Sequence, residues 1–365
     1  MADAFKLLAL GGDGIGPEVV ACGLRLVEAV AAQEGLSVGV QEDLLHGAAW
    51  EAHGTFCRDE TLAAARAADA VLVGAVGGPQ WDGITIPGGP EMQDGLMRLR
   101  LELDTYAGLR PAKATSCLEP LTPFRPGLAT GADVMVLREM CGGAFFSLPR
   151  GIERPPGGPR RGFDTTAYDS EEIARVAHVG FRLARRRRGK LCSTDKANVM
   201  ASGQLWREVV SEVGRDYPDV SLTHFYADNA AYQLSRDPCA FDVILGDNLF
   251  GDILSDQAGA IAGSLGMLPS ACLTGLPEPG ERMPGIYEPV HGSAPDIAGQ
   301  GIANPVGTLL SVAMMFDYSF GRPGAARRIE AAVTAALDAG HRTPDIGGTA
   351  TTESLTDAVI AAFRR

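Results

Sequence analysis

An α/β fold is predicted for this chain on three grounds. Short apolar runs with strand character alternate with amphipathic helical stretches along the whole sequence. Glycine-rich turns and acidic residues stand at strand-to-helix junctions, where open α/β sheets gather their ligands. No internal repeat interrupts the alternation. The 365 residues suit two domains or one large α/β unit, enough to bury most of the apolar surface without covalent staples.

In order, residues 6–10 read as a strand that enters the turn Gly11-Gly12-Asp13-Gly14-Ile15-Gly16, with a helix over 17–32. Pro17 is a good first-turn residue. The turn resembles the start of a dinucleotide fold, but its spacing is not G-x-G-x-x-G. A strand follows near 36–41, then helical segments to 68 and a strand at 70–76 ending in Gly77-Gly78-Pro79. The Gly- and Pro-rich residues 83–90 predict a mobile loop. A short helix at 95–103 carries Arg98 and Arg100, and the apolar residues 106–109 lead into Arg110-Pro111. A strand at 132–137 delivers Arg138-Glu139, and 142–146 is expected to be a further strand. Residues 150–162, rich in Pro, Gly and Arg, predict a protruding arm.

The stretch 170–188 is helical and ends in four consecutive arginines before Gly189. Cations there favour the C-terminal end of the helix dipole, and glycine is the stop. Strands at 191–194, 220–226 and 241–245 alternate with helices at 199–213, from Asp228 onward, and from 248 to about 263. A turn-rich loop covers 287–296, and three helices complete the chain.

Composition excludes several classes. With 45 acids against 32 bases, the net charge of −13 opposes attraction to nucleic acid or anionic membranes. No apolar run approaches the ~20 residues that span a bilayer, and no signal-peptide pattern opens the chain. Seven scattered cysteines without a CxxC suggest free thiols in a reducing, cytoplasmic setting.

Chemistry concentrates at a few positions. Asp252 and Asp256 are four residues apart and share a helical face among Leu, Phe and Ile neighbours. Their hard oxygens suit Mg²⁺ or Mn²⁺, although an isolated pair of this kind is ordinarily a solvated face. Asp228 is a third acid at a strand-to-helix junction. Arg100, Arg110 and Arg138 end apolar elements, and their fixed bidentate geometry fits a di- or tricarboxylic acid. The loop through His291 and Asp296 offers backbone amides to a phosphate and a carboxylate to a ribose hydroxyl.

Together these blocks resemble the β-decarboxylating dehydrogenases, the isocitrate and isopropylmalate dehydrogenases. The likeness is carried by Gly12 to Glu18, Leu109-Arg110-Pro111-Ala112-Lys113, Asp195-Lys196-Ala197-Asn198-Val199, Asn248 to Asp256, and His291 to Gly299 with Asn304-Pro305. It implies a two-domain α/β fold distinct from Rossmann, one domain formed by 1–105 with 263–365 and the other by 106–262. It also implies a homodimer with shared active sites, in which the 150–162 arm clasps the partner.

The resemblance further implies oxidative decarboxylation of a 3-substituted malate with NAD and a divalent metal. Asp252 and Asp256 would hold the metal from one subunit and Asp228 from the other. Arg100, Arg110 and Arg138 would grip carboxylates, with Leu96, Met97 and Val199 along the apolar branch. Lys196 from the partner would take the hydroxyl proton, with Asp228 beside it. Ile15, Gly78, His291, Gly292, Ser293, Ala294, Pro295, Asp296 and Asn304 would form the NAD site, where Asp296 repels a 2′-phosphate.

Three positions depart from the family pattern. Phe145 stands where the family has the tyrosine that protonates the enolate carbon. The family glutamate beside the nicotinamide has only Gln93, by spacing, or Glu91 as counterparts, and Gly11 replaces a usual proline. Three readings follow: the family reaction with water as proton source, a relative acting on another 3-substituted malate, or a non-catalytic binding homologue.

Overall fold

The computed structural model describes residues 3–365. Its centre is a ten-stranded mixed sheet. The elements, in chain order, are β1 (Ala4–Gly12), α1 (Gly16–Glu34), β2 (Ser37–Asp43), α2 (Gly47–His53), α3 (Asp59–Ala67), β3 (Ala70–Ala75), α4 (Gly95–Glu102), β4 (Ala107–Lys113) and β5 (Asp133–Glu139). There follow β6 (Gly151–Glu153), β7 (Arg161–Phe163), α5 (Ser170–Arg186), β8 (Lys190–Asp195), α6 (Ala201–Val213), β9 (Ser221–Tyr226), α7 (Ala227–Arg236), β10 (Val243–Gly246) and α8 (Asn248–Ala262). The chain closes with β11 (Pro269–Leu273), β12 (Gly285–Pro289), α9 (Val306–Tyr318), α10 (Pro323–Asp338) and α11 (Thr352–Phe363).

The sheet order is β2-β1-β3-β12-β11-β4-β5-β10-β8-β9. Both flanks are parallel, β2-β1-β3-β12 on one side and β5-β10-β8-β9 on the other. The middle, from β12 through β11 and β4 to β5, is antiparallel. Strands from 1–105 and 263–365 thus fill one half of the sheet, and strands from 106–262 the other. This order is not the doubly wound dinucleotide arrangement. The strands of both flanks are sealed by helices, which is why β3, β10 and β12 are buried at every residue.

Two expectations are corrected. Residues 142–146 do not form a strand. The chain curls into a single 3₁₀ turn, Gly143–Phe145, because Gly143 takes φ 70° and its carbonyl accepts from the amides of Phe146 (3.2 Å) and Ser147 (2.9 Å). The stretch 287–296 is not loop throughout, since Tyr287, Glu288 and Pro289 belong to β12. That strand and β11 are short buried pieces that pair antiparallel with each other, a partnership no local pattern announces. The 150–162 arm is a small ribbon of β6 paired with β7, with Ile152 63% exposed.

Candidate active site

The antiparallel centre brings the two halves of the sheet together around a cleft of about 390 Å³, lined by α4, β4, β5, α8 and the loop after β12. β4 and β5 place Arg110 and Arg138 on one face, because Arg138 pairs with Gly108, two residues before Arg110. Helix α8 crosses that face closely. A side chain at Gly251 would run into Arg138, so only glycine permits the approach. Asp247 caps the helix by accepting from Phe250 N at 2.7 Å.

This packing puts the three sequence-predicted arginines on one wall with Asp252. Arg138 ion-pairs with Asp252, and Arg110 reaches the same carboxylate at 3.3 Å and Ser255 Oγ at 2.8 Å. Arg138 is aimed by Asn248, whose Oδ1 accepts from Nε (2.9 Å) and Nη2 (2.7 Å). Arg100 forms an ion pair with Glu288. Burial lowers the Arg138 guanidinium, with Arg110 adding to this, to about 9, so it stays charged at neutral pH. Burial acts on Arg100 in the same direction, but the Glu288 carboxylate more than offsets it and holds the guanidinium above its ordinary value. Leu96 and Met97, on α4, line the cleft beside these charges.

Glu288 and Asn248 were not singled out in the sequence. Glu288 pairs with an arginine 188 residues away, and Asn248 with one 110 residues away. The available signal for Asn248 was its place at the start of the Asp252–Asp256 helix.

Asp256 lies one turn beyond Asp252 on α8. Partial burial pushes its carboxyl above the usual range; Asp252 adds to this and Arg110 opposes it. Among the described residues, no three acid, imidazole or thiol side chains of one chain converge on a cation site. Asp252 and Asp256 supply two hard oxygen donors from one face, which suits a divalent ion completed by donors from elsewhere. Asp228 is not with them. It sits in the first turn of α7, ion-paired with Lys196, which holds its carboxyl below the usual range. Val199, 71% exposed, follows Lys196 in the turn after β8. None of these three lines the cleft of its own chain.

The expected cofactor residues gather where the first turn meets the loop after β12. Ile15 N donates to Ser293 O at 2.8 Å, and Gly14, at φ 57°, leaves no room for a side chain against that same residue. Ile15 is buried with Val19 and Ala303, and Ala294 and Ile297 pack onto this small cluster. His291 Nδ1 donates to Gly292 O at 2.9 Å, while its Nε2 is buried without a partner. Burial pushes the imidazole down, so it is neutral. Gly292, Pro295 and Asp296 are exposed. Asn304 is committed at both ends, accepting from Val306 N (3.0 Å) and donating to Asp345 (3.0 Å). Gly78 lies under the Trp81 ring.

Phe145 also lines the cleft, its ring centroid 5.5 Å from the Arg138 guanidinium carbon. Among the described residues, no tyrosine lines the cleft. The nearby Tyr168 hydroxyl is spent on Glu139 (3.2 Å) and on the amide of Asn248 (2.9 Å). Neither Gln93 nor Glu91 lines the cleft. Gln93 instead clamps the backbone of Ile86 through both ends of its amide.

A cleft at the junction of two α/β halves, lined by three guanidinium groups and by the carboxylates of Asp94, Asp252 and Glu288, is the charged lining of a small-molecule site. The family profile described as isocitrate/isopropylmalate dehydrogenase matches residues 6–359. The 3-isopropylmalate dehydrogenase of Methylococcus capsulatus is 50% identical over 364 residues, 99% of both chains. That of Xanthomonas campestris pv. campestris is 52% identical over 362 residues, 98% of this chain and 99% of its own. Among solved structures, isocitrate dehydrogenase from Methylococcus capsulatus superposes with a TM-score of 0.86 at 30% identity, covering 99% of this chain and 100% of that one. The β-decarboxylating dehydrogenase of Thermococcus kodakarensis does so with 0.77 at 33% identity, covering 99% and 96%. The chain belongs to the isocitrate/isopropylmalate dehydrogenase family and is a decarboxylating dehydrogenase. No helix among the described residues is long and apolar enough to cross a membrane.

Proposed function

We propose that the protein converts 3-isopropylmalate to 4-methyl-2-oxopentanoate, a step of leucine biosynthesis, with NAD⁺ and Mg²⁺ or Mn²⁺. The observation that carries this reading is the cleft wall itself, where three guanidinium groups face a substrate beside the aliphatic Leu96 and Met97. Two carboxylates would engage the arginines. The apolar neighbours favour an alkyl branch over isocitrate's third carboxylate, which would need a cation or hydroxyl.

The composite site requires a second copy of the chain. Asp252 and Asp256 of one subunit and Asp228 of the other would hold the divalent ion, which when bound polarises the C2 oxygen. Lys196 of the second subunit would take the C2 hydroxyl proton, and NAD⁺, held by the loop after β12, would supply the hydride acceptor. The C3–carboxylate bond then breaks, its electron pair stays as the enolate, and CO₂ departs. Arg100, Arg110 and Arg138 hold the carboxylates throughout, and C3 takes its proton from water in place of a tyrosine. Exposed apolar side chains on and beside α7 and α8, Tyr232, Ile253 and Val199, support a dimer through this face. Two domains, 1–105 with 263–365 and 106–262, would close on the substrate, and the β6–β7 arm would clasp the partner. Exposed Asp296 disfavours a 2′-phosphate, hence NAD over NADP. Seven free cysteines support a reducing, cytoplasmic setting.

Phe145 supports a second reading, in which the protein acts on a malate with a different 3-substituent that packs against this ring. A screen of 3-substituted malates with NAD⁺ and Mn²⁺, read as NADH formation, separates the two. Phe145→Tyr should raise turnover of 3-isopropylmalate by up to the ~10²-fold or more that a general acid contributes. An unchanged or lower rate favours the second reading, and no NADH from any of these malates rejects both.

A further inference from the structure

The strained residue His46 lies outside the chemistry described so far, between Asp13 of the glycine turn and Asp94 at the cleft. It is one of three non-glycine residues with positive φ among the described residues, at φ 55° and ψ −125°, and it is buried, 7% exposed. Such a conformation costs about 1–3 kcal/mol and persists only where the surroundings enforce it. Here they do. Its amide donates to Phe56 O at 2.7 Å, and its ring stacks on Phe56 with centroids 4.7 Å apart. The Trp81 ring meets it edge-on at 6.0 Å.

The two ring nitrogens face two carboxylates from different parts of the site. Nδ1 donates to Asp13 Oδ2 at 2.8 Å. Asp13, buried in the glycine turn that contacts Ser293, also accepts from the amides of Gly47 (3.1 Å), Ala48 (2.9 Å) and Gly77 (2.8 Å). On the other side, Nε2 faces Asp94 Oδ2 at 4.0 Å. The other oxygen of Asp94 caps α4, accepting from Leu96 N (2.7 Å) and Met97 N (3.0 Å). The imidazole therefore stands between the turn that meets the proposed cofactor loop and the first turn of the helix carrying Leu96, Met97 and Arg100. The loop after β3 joins the same cluster, because Trp81 covers Gly47 and donates to Glu51 at 3.0 Å.

We propose that His46 is a positioning residue that sets the spacing between the Asp13 turn and the Asp94 cap of α4, so that recognition of the substrate's alkyl branch is coupled to the cofactor side of the cleft. This rests on the reading of the cleft as a 3-alkylmalate site. The ring is hydrogen-bonded at Asp13 and only approaches Asp94, at 4.0 Å, so its place in a strained backbone is explained if the spacing it sets between the two is what the site needs. A shorter side chain leaves the Asp94 cap without its backing, and α4 loosens where Leu96 and Met97 begin.

The test uses the full-length protein with His46→Gly, which accepts the positive φ and removes the ring. KM for 3-isopropylmalate should rise about tenfold, within the range of ordinary coupling energies, while kcat changes by less than about threefold. Added imidazole should restore the lower KM. Amide exchange over residues 95–100 should speed up about tenfold without ligand, and β10, remote from the bridge, should be unchanged. If His46→Gly does not fold, His46→Asn carries the same test, since Asn can still donate to Asp13 but is too short to face Asp94. An unchanged KM together with unchanged exchange over 95–100 overturns the proposal. If the wild type does not turn over 3-isopropylmalate, the functional reading fails instead, and the exchange measurement still decides whether His46 holds α4.

Discussion

The arginine wall and the Lys196–Asp228 ridge have the same kind of charged residues and opposite settings. Side chains of Arg100, Arg110 and Arg138 are 11%, 8% and 6% exposed, each already ion-paired inside one chain. Lys196 and Asp228 are 28% and 68% exposed and form an ion pair with each other. Buried charges are costly to desolvate unless paired and hydrogen-bonded, and such pairing fixes their geometry. Charges left on an exposed ridge with Val199, Tyr232 and Ile253 nearby fit a surface completed by another molecule. Under the proposed reaction, substrate grip would be a property of the single fold, whereas deprotonation would belong to the assembly.

The strongest way to break that contrast is to disable each region in a different chain. Lys196→Ala should lower kcat by about 10²–10⁴ with little change in KM, measured by steady-state kinetics. Asp252→Asn should be similarly inactive. Refolded together in equal amounts, the two should regain about a quarter of wild-type activity, because half the dimers are mixed and each of those has one intact site. No recovery in verified mixed dimers would place the base and the arginine wall in the same chain.

Next in size is Arg138→Lys. Lysine keeps the charge but loses the fork that engages Asn248 and Asp252 together, so kcat/KM should drop about 10²-fold. A comparable drop from a charge-conserving change on the ridge, Lys196→Arg, is expected to lie in kcat alone. If both fall in KM, the division between grip and chemistry is wrong.

The smallest effect concerns what stands behind the wall. Glu139, fully buried, accepts from the amides of Cys141 and Gly142 and from Tyr168, whose oxygen accepts from Asn248 N. Burial pushes its carboxyl up to about 7. The folded chain then keeps a proton that the unfolded chain releases near pH ~4.3, so stability falls as pH rises through that window, by about 3 kcal/mol in all. Urea denaturation at about pH 5 and about pH 8 should detect this loss, and Glu139→Gln should flatten the slope. An equally steep slope in the variant assigns the pH dependence to other groups.

Much of the molecule was legible beforehand because it rests on local rules. Helix α1 begins at its proline, α5 ends in its arginines, and Asp252 and Asp256 share a face by spacing alone. The strand at 142–146 was misread because two aromatics after two glycines carry a strand's composition, while positive φ at Gly143 turns the chain. Strand β11, five buried residues between turns, leaves no periodic signature to read.

The sequence by itself determined the α/β class, the residue types of the cleft and the family, since periodicity, turn chemistry and motif order are written along the chain. Only the tertiary structure decided which of those residues meet. Arg100 pairs with Glu288, Arg138 is aimed by Asn248, and His46 stands between Asp13 and Asp94 because strands and helices far apart in sequence pack edge to edge. Side-chain partners across such distances are set by register and burial, and these exist only once the sheet has formed.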